Sequence, residues 1–134
     1  MNGGKLQNLW ILVVDDEADA LDMVSFLLRM NGARVTTAKS AVEILEILKG
    51  INEYQKRPNV LISDIGMPNE NGYALIEKIR ALPAENGGRI PAIALTAYNR
   101  PEDRQDALEA GFQIHIGKPF EPENLVTAIT EVAK

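Results

Sequence analysis

Five polar residues of this 134-residue chain stand where a short apolar run stops. Asp15 and Asp16 follow Leu9 to Val14, Asp64 follows Val60 to Ser63, Thr96 follows Ile90 to Leu95, and Lys118 follows Gln113 to Gly117. Each has a local explanation. An aspartate ahead of a helix caps free amides and suits the helix dipole, and Asp64 reads as a turn acid. Thr96 reads as a strand-favouring residue and Lys118 as a solvated surface lysine. Four such accidents at the ends of four different strands are harder to accept than one site. If the first and third strands are neighbours, the three carboxylates converge, and like charges at close range either take up protons or bind a cation. A hard divalent ion such as Mg²⁺ prefers oxygen ligands and commonly combines one or two carboxylates with water and a phosphoryl oxygen.

The elements that must position these groups are legible from periodicity. Leu9 to Val14 is a continuous apolar run of the kind found in strands buried on both faces. From Glu17 to Met30, Leu21, Val24, Leu27 and Leu28 recur at helical spacing, and Asn31-Gly32 is a stop signal. Arg34 to Ala38 reads as a strand. Ser40 to Glu43 has capping-box spacing and opens a helix with Val42, Leu45, Ile47 and Leu48 on its buried side, ending near Gly50. After the strand that ends at Asp64 and the loop Gly66 to Asn71, a third helix carries Leu75, Ile76, Ile79 and Leu82 and stops around Pro83. Asn71 is expected as its cap. Glu85 to Gly88 reads as loop, and Ile90 to Leu95 as the fourth strand. Pro101 is an early residue of a fourth helix that ends near Gly111, Gln113 to Gly117 is the fifth strand, and Pro122 opens a last helix with Leu125, Val126, Ile129, Val132 and Ala133 on one stripe.

Five strands alternating with five helices imply a doubly wound α/β fold, because compact connections between parallel strands run through helices. Ligands in such sheets bind beyond the carboxyl ends of the strands where the strand order reverses. A chain of this length predicts one domain. Fourteen Lys plus Arg against nineteen Asp plus Glu leave a net charge of −5, which opposes direct nucleic-acid binding. No apolar run approaches the roughly 20 residues of a membrane helix, and the amino terminus lacks the layout of a secretory signal, so the expected compartment is the cytoplasm. The lack of cysteine removes disulfides, thiolate metal sites and thiol catalysis.

Four segments carry a family resemblance: Val13-Val14-Asp15-Asp16-Glu17, Asp64-Ile65-Gly66-Met67-Pro68 with Gly72, Leu95-Thr96-Ala97, and Lys118-Pro119-Phe120. In this order, on these four strands, the chain resembles the receiver domains of bacterial response regulators, both single-domain receivers and those of hybrid kinases. The resemblance spans residues 9 to 134 and leaves residues 1 to 8 as a flexible segment. It implies a five-stranded parallel sheet in the order 2-1-3-4-5 and a signalling domain that takes a phosphoryl group from a histidine kinase or phosphotransfer protein. Asp64 is then the nucleophilic acceptor. Asp15, Asp16, Asp64 and the Gly66 carbonyl serve Mg²⁺, with Mn²⁺ as a substitute, while Lys118 and Thr96 meet phosphoryl oxygens. The implied output surface, read by a downstream protein partner, is helix 4, strand 5 and helix 5. Lys118-Pro119 resembles a cis bond of the family.

The chain departs from the family pattern at His115, where many receivers have an aromatic residue that turns inward with the threonine. Its ordinary reading is a half-buried strand histidine; the functional one is a switch with a titratable tip. Ala97 and Tyr98 follow the switch threonine, and a bulky Tyr98 opposite a side-chain-free Gly66 is expected to slow water attack on the acyl phosphate. Three other readings compete. A Mg²⁺-dependent phosphatase with an aspartyl nucleophile usually needs a second acid two residues on, where this chain has Gly66. A flavodoxin-type carrier needs a Ser/Thr/Gly-rich first loop, and Asp15-Asp16-Glu17 would repel its flavin phosphate. A docking receiver that never takes phosphate would have no need of the full Asp64, Thr96 and Lys118 set.

Overall fold

The computed structural model describes residues 4–51, 57–67, 71–97 and 100–133. Strands β1 (Trp10–Val14), β2 (Arg34–Ala38), β3 (Val60–Asp64), β4 (Ala92–Thr96) and β5 (Ile114–Gly117) alternate with helices α1 (Ala18–Met30), α2 (Ala41–Lys49), α3 (Gly72–Arg80), α4 (Pro101–Ala110) and α5 (Pro122–Val132). All strand pairs are parallel, in the order β2-β1-β3-β4-β5. The chain therefore has the doubly wound α/β fold expected of it, with the reversal of strand order falling between β1 and β3.

The continuous apolar runs are explained by position. Every residue of β1, β3 and β4 is buried, because these central strands are covered on both faces. Alternate side chains feed two cores. Leu12, Val14 and Leu61 pack with Ile44, Leu48, Leu75, Ile76 and Ile79 of α2 and α3. Ile11, Val13, Ile62 and Ile93 pack with Leu21, Val24 and Leu28 of α1 and Leu125 and Ile129 of α5.

Local signals place most helix ends. Asn71 accepts from the Ala74 N–H at 2.9 Å and caps α3, and the Ser40 hydroxyl accepts from Glu43 N–H. The reciprocal half of that box reaches one residue further back, to the Lys39 N–H. Pro101 and Pro122 are the first helical residues of α4 and α5, where a missing N–H loses no hydrogen bond.

Other expectations change in three dimensions. In α2 the buried residues are Ala41, Ile44 and Leu48, whereas Val42 is 61% exposed, so the buried stripe is rotated from the one read in sequence. Glu85 to Gly88 is not plain loop: Ala84–Asn86 forms a 3-10 turn, and the Asn86 amide donates to the Leu48 carbonyl in the last turn of α2 and to the Ile51 carbonyl just beyond it. The α3 helix stops at Arg80, leaving Leu82 outside it. Arg80 then ties α3 to the loops after α4 and before β4 through the Gly111 and Gly88 carbonyls. Within the segment expected to be flexible, residues 5–8 form a turn, Leu6 is fully buried in the α1 and α5 core, and its N–H bonds to Asn31 O. Packing thus begins before Leu9.

Candidate functional site

The strand ends bring the predicted residues to one edge of the sheet. Asp15 lies just beyond β1, its N–H bonded to Ala38 O of β2. Asp64 closes β3, and Thr96 closes β4. The Lys118 N–H continues the β4–β5 ladder by bonding to Thr96 O at 2.8 Å, so backbone pairing sets the lysine beside the threonine. Asp15, Asp64 and Thr96 are buried polar residues, Lys118 is half-buried, and Asp16 and Ala97 are exposed. The Lys118-Pro119 bond is cis.

One carboxylate oxygen each from Asp15, Asp16 and Asp64 lies within 4.8 Å of the others. Lys118 Nζ donates to Asp15 Oδ2 at 3.3 Å and to Asp64 Oδ1 at 3.5 Å. Burial pushes the Asp64 carboxyl above its ordinary range, the Asp15 charge pushes it further, and the Lys118 ammonium and the Gly66 N–H pull it only part of the way back. Burial disfavours the Lys118 charge, but the Asp64 and Asp15 carboxylates outweigh it and hold the ammonium above its ordinary value. Asp15 Oδ1 also accepts from the Glu17 N–H at 2.9 Å, a turn contact just ahead of α1. The N-cap of α1 is Glu17, with no side-chain cap bond among the described residues, so Asp15 is a turn and site residue and not the helix cap that its position in the sequence allowed.

The acceptor loop is held close to this cluster. Gly72 N–H bonds to Ile65 O, and a Cβ at Gly72 would lie 2.8 Å from the Asp64 carbonyl oxygen and 2.9 Å from Ile65 Cδ1. A glycine is required there by close approach of backbone. His115 sits on β5 in register with Ala94 of β4 and borders clefts on both sides of that edge strand. Tyr98 and Pro68 lie outside the described residues.

Residues 11–130 match the family model of the response regulator receiver domain. The chain belongs to the response regulator receiver family. It is 43% identical over 126 residues to an uncharacterized 14.6 kDa protein in the sodA1 3′ region of Leptolyngbya boryana, covering 94% of this chain and 91% of that one. It is 32% identical to the response regulator SaeR of Staphylococcus aureus, covering 91% of this chain and 49% of SaeR, so the receiver spans about half the length of that relative. Among solved structures it resembles the chemotaxis response regulator CheY4 of Vibrio cholerae, at TM-score 0.80 and 30% identity over 92% of this chain and 98% of that one. A CheY-like receiver domain protein from Methanospirillum hungatei JF-1 superposes at TM-score 0.79 and 29% identity, with 93% of each chain covered. This receiver is a two-component signalling domain with an acid cluster that could hold a metal ion.

Sequence reasoning did not single out the surface next to this cluster. Met23, Phe26 and Met30 of α1 are 63%, 67% and 67% exposed, and they share a cleft of about 640 Å³ with Pro119, Phe120, Asp15 and Lys118. The positions 23, 26 and 30 form one helical stripe, which the sequence shows, but α1 is apolar on its core side as well, so the pattern alone did not mark the outward one. Among the described residues, no helix is long and apolar enough to cross a membrane.

Proposed function

We propose that Asp64 accepts a phosphoryl group from the phosphohistidine of a histidine kinase or phosphotransfer protein. What carries the reading is the convergence of Asp15, Asp16, Asp64 and the Lys118 ammonium at the switch point of the sheet. A carboxylate oxygen of Asp64 attacks phosphorus, the O–P bond forms as the P–N bond breaks, and the leaving imidazole keeps the bond electrons and takes up a proton. Lys118 swings its ammonium from the carboxylates toward a phosphoryl oxygen, and the Thr96 hydroxyl donates to another.

The carboxylate oxygens of Asp15, Asp16 and Asp64 suit a hard divalent cation, because burial and mutual repulsion already disfavour the charge on Asp64 and one lysine does not offset it. Mg²⁺, with Mn²⁺ as a substitute, would be held by these three side chains and the Gly66 carbonyl, some through water. When bound it supplies positive charge against the phosphoryl oxygens. His115, Ala97 and Tyr98 modulate the product: His115 reports the threonine's state to the α4, β5 and α5 surface, and Tyr98 shields the acyl phosphate from water. The domain releases no free product at catalytic rates, works in the cytoplasm beside its donor, and acts alone or as one receiver of a longer regulator or hybrid kinase.

The deciding experiment incubates the parent and Asp64→Asn with Mg²⁺ and acetyl phosphate and compares intact masses. The parent gains one phosphoryl group and the variant gains none; equal gain in both places the acceptor elsewhere.

A further inference from the structure

The outward face of α1 is close to symmetric about Phe26. Met23 stands three residues before Phe26 and Met30 four after it, so the three exposed side chains run as one apolar stripe along the helix. Asp22 stands four residues before Phe26 and Arg29 three after it. Both are exposed, and helical spacing sets them on the same flank of the stripe. The other flank carries Ala20 and Leu27 and continues into Pro119, Phe120 and Pro122 across a cleft of about 640 Å³. One flank is thus charged and the other apolar. Asp22 has no ion pair among the described residues, and Arg29 uses one guanidinium N–H on the Val35 carbonyl at 3.2 Å.

We propose that this face is the interface between two copies of the chain, with their α1 helices antiparallel across a two-fold axis beside Phe26. In a two-fold interface the contacts are exchanged, residue i of one copy meeting residue j of the other and the reverse. Antiparallel helices bring a residue before the axis onto one after it. Met23 of each copy then meets Met30 of the other, the two Phe26 rings meet near the axis, and Asp22 meets Arg29 twice. The axis also returns each flank to its own kind, so the apolar flanks around Phe120 face one another and the helix dipoles oppose. A parallel pair would instead set the charged flank of each copy against the apolar flank of the other. Apolar burial supplies most of the attraction, while the exposed ion pairs fix direction and register more than affinity. A membrane surface is a poorer occupant, because Asp16, Glu17, Asp19 and Asp22 crowd one end of the stripe and repel anionic headgroups. The interface covers the cleft that reaches Asp15 and Lys118, so self-association and docking of a protein donor exclude one another. That consequence rests on the phosphoacceptor reading above; the dimer itself does not.

Sedimentation velocity of the full chain, from micromolar to millimolar concentration, is expected to show a monomer–dimer equilibrium. Asp22→Arg leaves Arg facing Arg, and Arg29→Asp leaves Asp facing Asp. Each is expected to weaken the dimer by about tenfold or more, and an equimolar mixture of the two to recover it, since every contact then joins Arg to Asp. Phe26→Ser alters exposed atoms alone and is expected to be monomeric with the parent amide spectrum elsewhere, which keeps the test decisive even where Arg29→Asp unfolds through loss of its bond to Val35. A parent that stays monomeric at millimolar concentration, a dimer that survives Phe26→Ser, an Asp22→Arg variant that associates as the parent does, or a mixture of folded variants no tighter than either alone each overturn the proposal. Acetyl phosphate labelling of Asp64 is measured in parallel. A parent that dimerises but takes no phosphoryl group refutes the acceptor reading alone, and a labelled parent that stays monomeric refutes the dimer alone.

Discussion

Asp64 carries a charge that its surroundings resist. Burial raises its carboxyl pKa, the Asp15 carboxylate adds to the rise, and Lys118 and the Gly66 amide offset only part of it. An acid whose folded pKa lies above its unfolded value binds its proton more tightly when folded, so stability falls as pH rises through that window. Above it, the penalty is fully present. Asp64→Asn keeps the shape and removes the charge, and is expected to raise the thermal midpoint near neutral pH by a few degrees, on the order of 1 kcal/mol after solvent screening. The gain should fade as pH falls through the raised Asp64 pKa and be gone below the ordinary carboxyl value of about 4, where the parent is protonated in both states. Melting curves of both proteins across this range check it; a variant that melts lower at neutral pH contradicts the electrostatic account. Gain of stability with loss of the proposed activity is the pattern of a residue kept for chemistry.

At the scale of elements, α1 divides its apolar residues between two tasks. Leu21, Val24 and Leu28 face the core, whereas Met23, Phe26 and Met30 face solvent beside Lys118 and Phe120. A patch of this kind is where a protein donor would land, since large apolar side chains left out in a row mark contact surfaces and methionine adapts to varied partners. Phe26→Ser is therefore expected to slow phosphoryl transfer from a phosphohistidine protein by about tenfold and leave transfer from acetyl phosphate unchanged. Parallel time courses with the two donors separate docking from chemistry, and equal slowing of both would assign Phe26 to the fold instead. The 3-10 turn shows a different dependence. Asn86 satisfies carbonyls at the end of α2 from 35 and more residues away, so Asn86→Ala should lower stability by about 1–2 kcal/mol. Urea unfolding measures this, and an unchanged midpoint would mean that water replaces the amide without loss.

For the molecule as a whole, the acid cluster makes folding sensitive to divalent cations. An ion that binds only the folded state stabilises it by about 2.7 kcal/mol at a free concentration one hundred times its Kd. Mg²⁺ is expected to raise the thermal midpoint over a Na⁺ control of matched ionic strength. The gain should shrink as pH falls through the raised Asp64 pKa, since a protonated carboxyl does not hold the ion. Thermal melts with and without Mg²⁺ decide this, and an equal gain at acid pH would place the ion away from Asp64. The sheet carries this coupling: Asp15 and Asp64 extend neighbouring strands that are paired from Ile11↔Val60 to Val14↔Ser63.

Much of this was readable along the chain. The apolar runs ending in Asp15, Asp64, Thr96 and Lys118 placed four groups at strand ends, and Asn71, Ser40, Pro101 and Pro122 marked helix starts through contacts that reach only a few residues. Such signals are local, so one dimension contains them. The strand order that makes β1 and β3 neighbours was implied by the resemblance, not by the residues, because pairing partners are chosen by packing over long separations. The same holds for Gly72 against Asp64 O, Leu6 in the core, the rotated face of α2, Asn86 on the end of α2, and the outward stripe of α1. Each depends on which surface a residue meets after the helices have covered the sheet, and hydrophobic burial, having no direction of its own, leaves that choice to the tertiary fold.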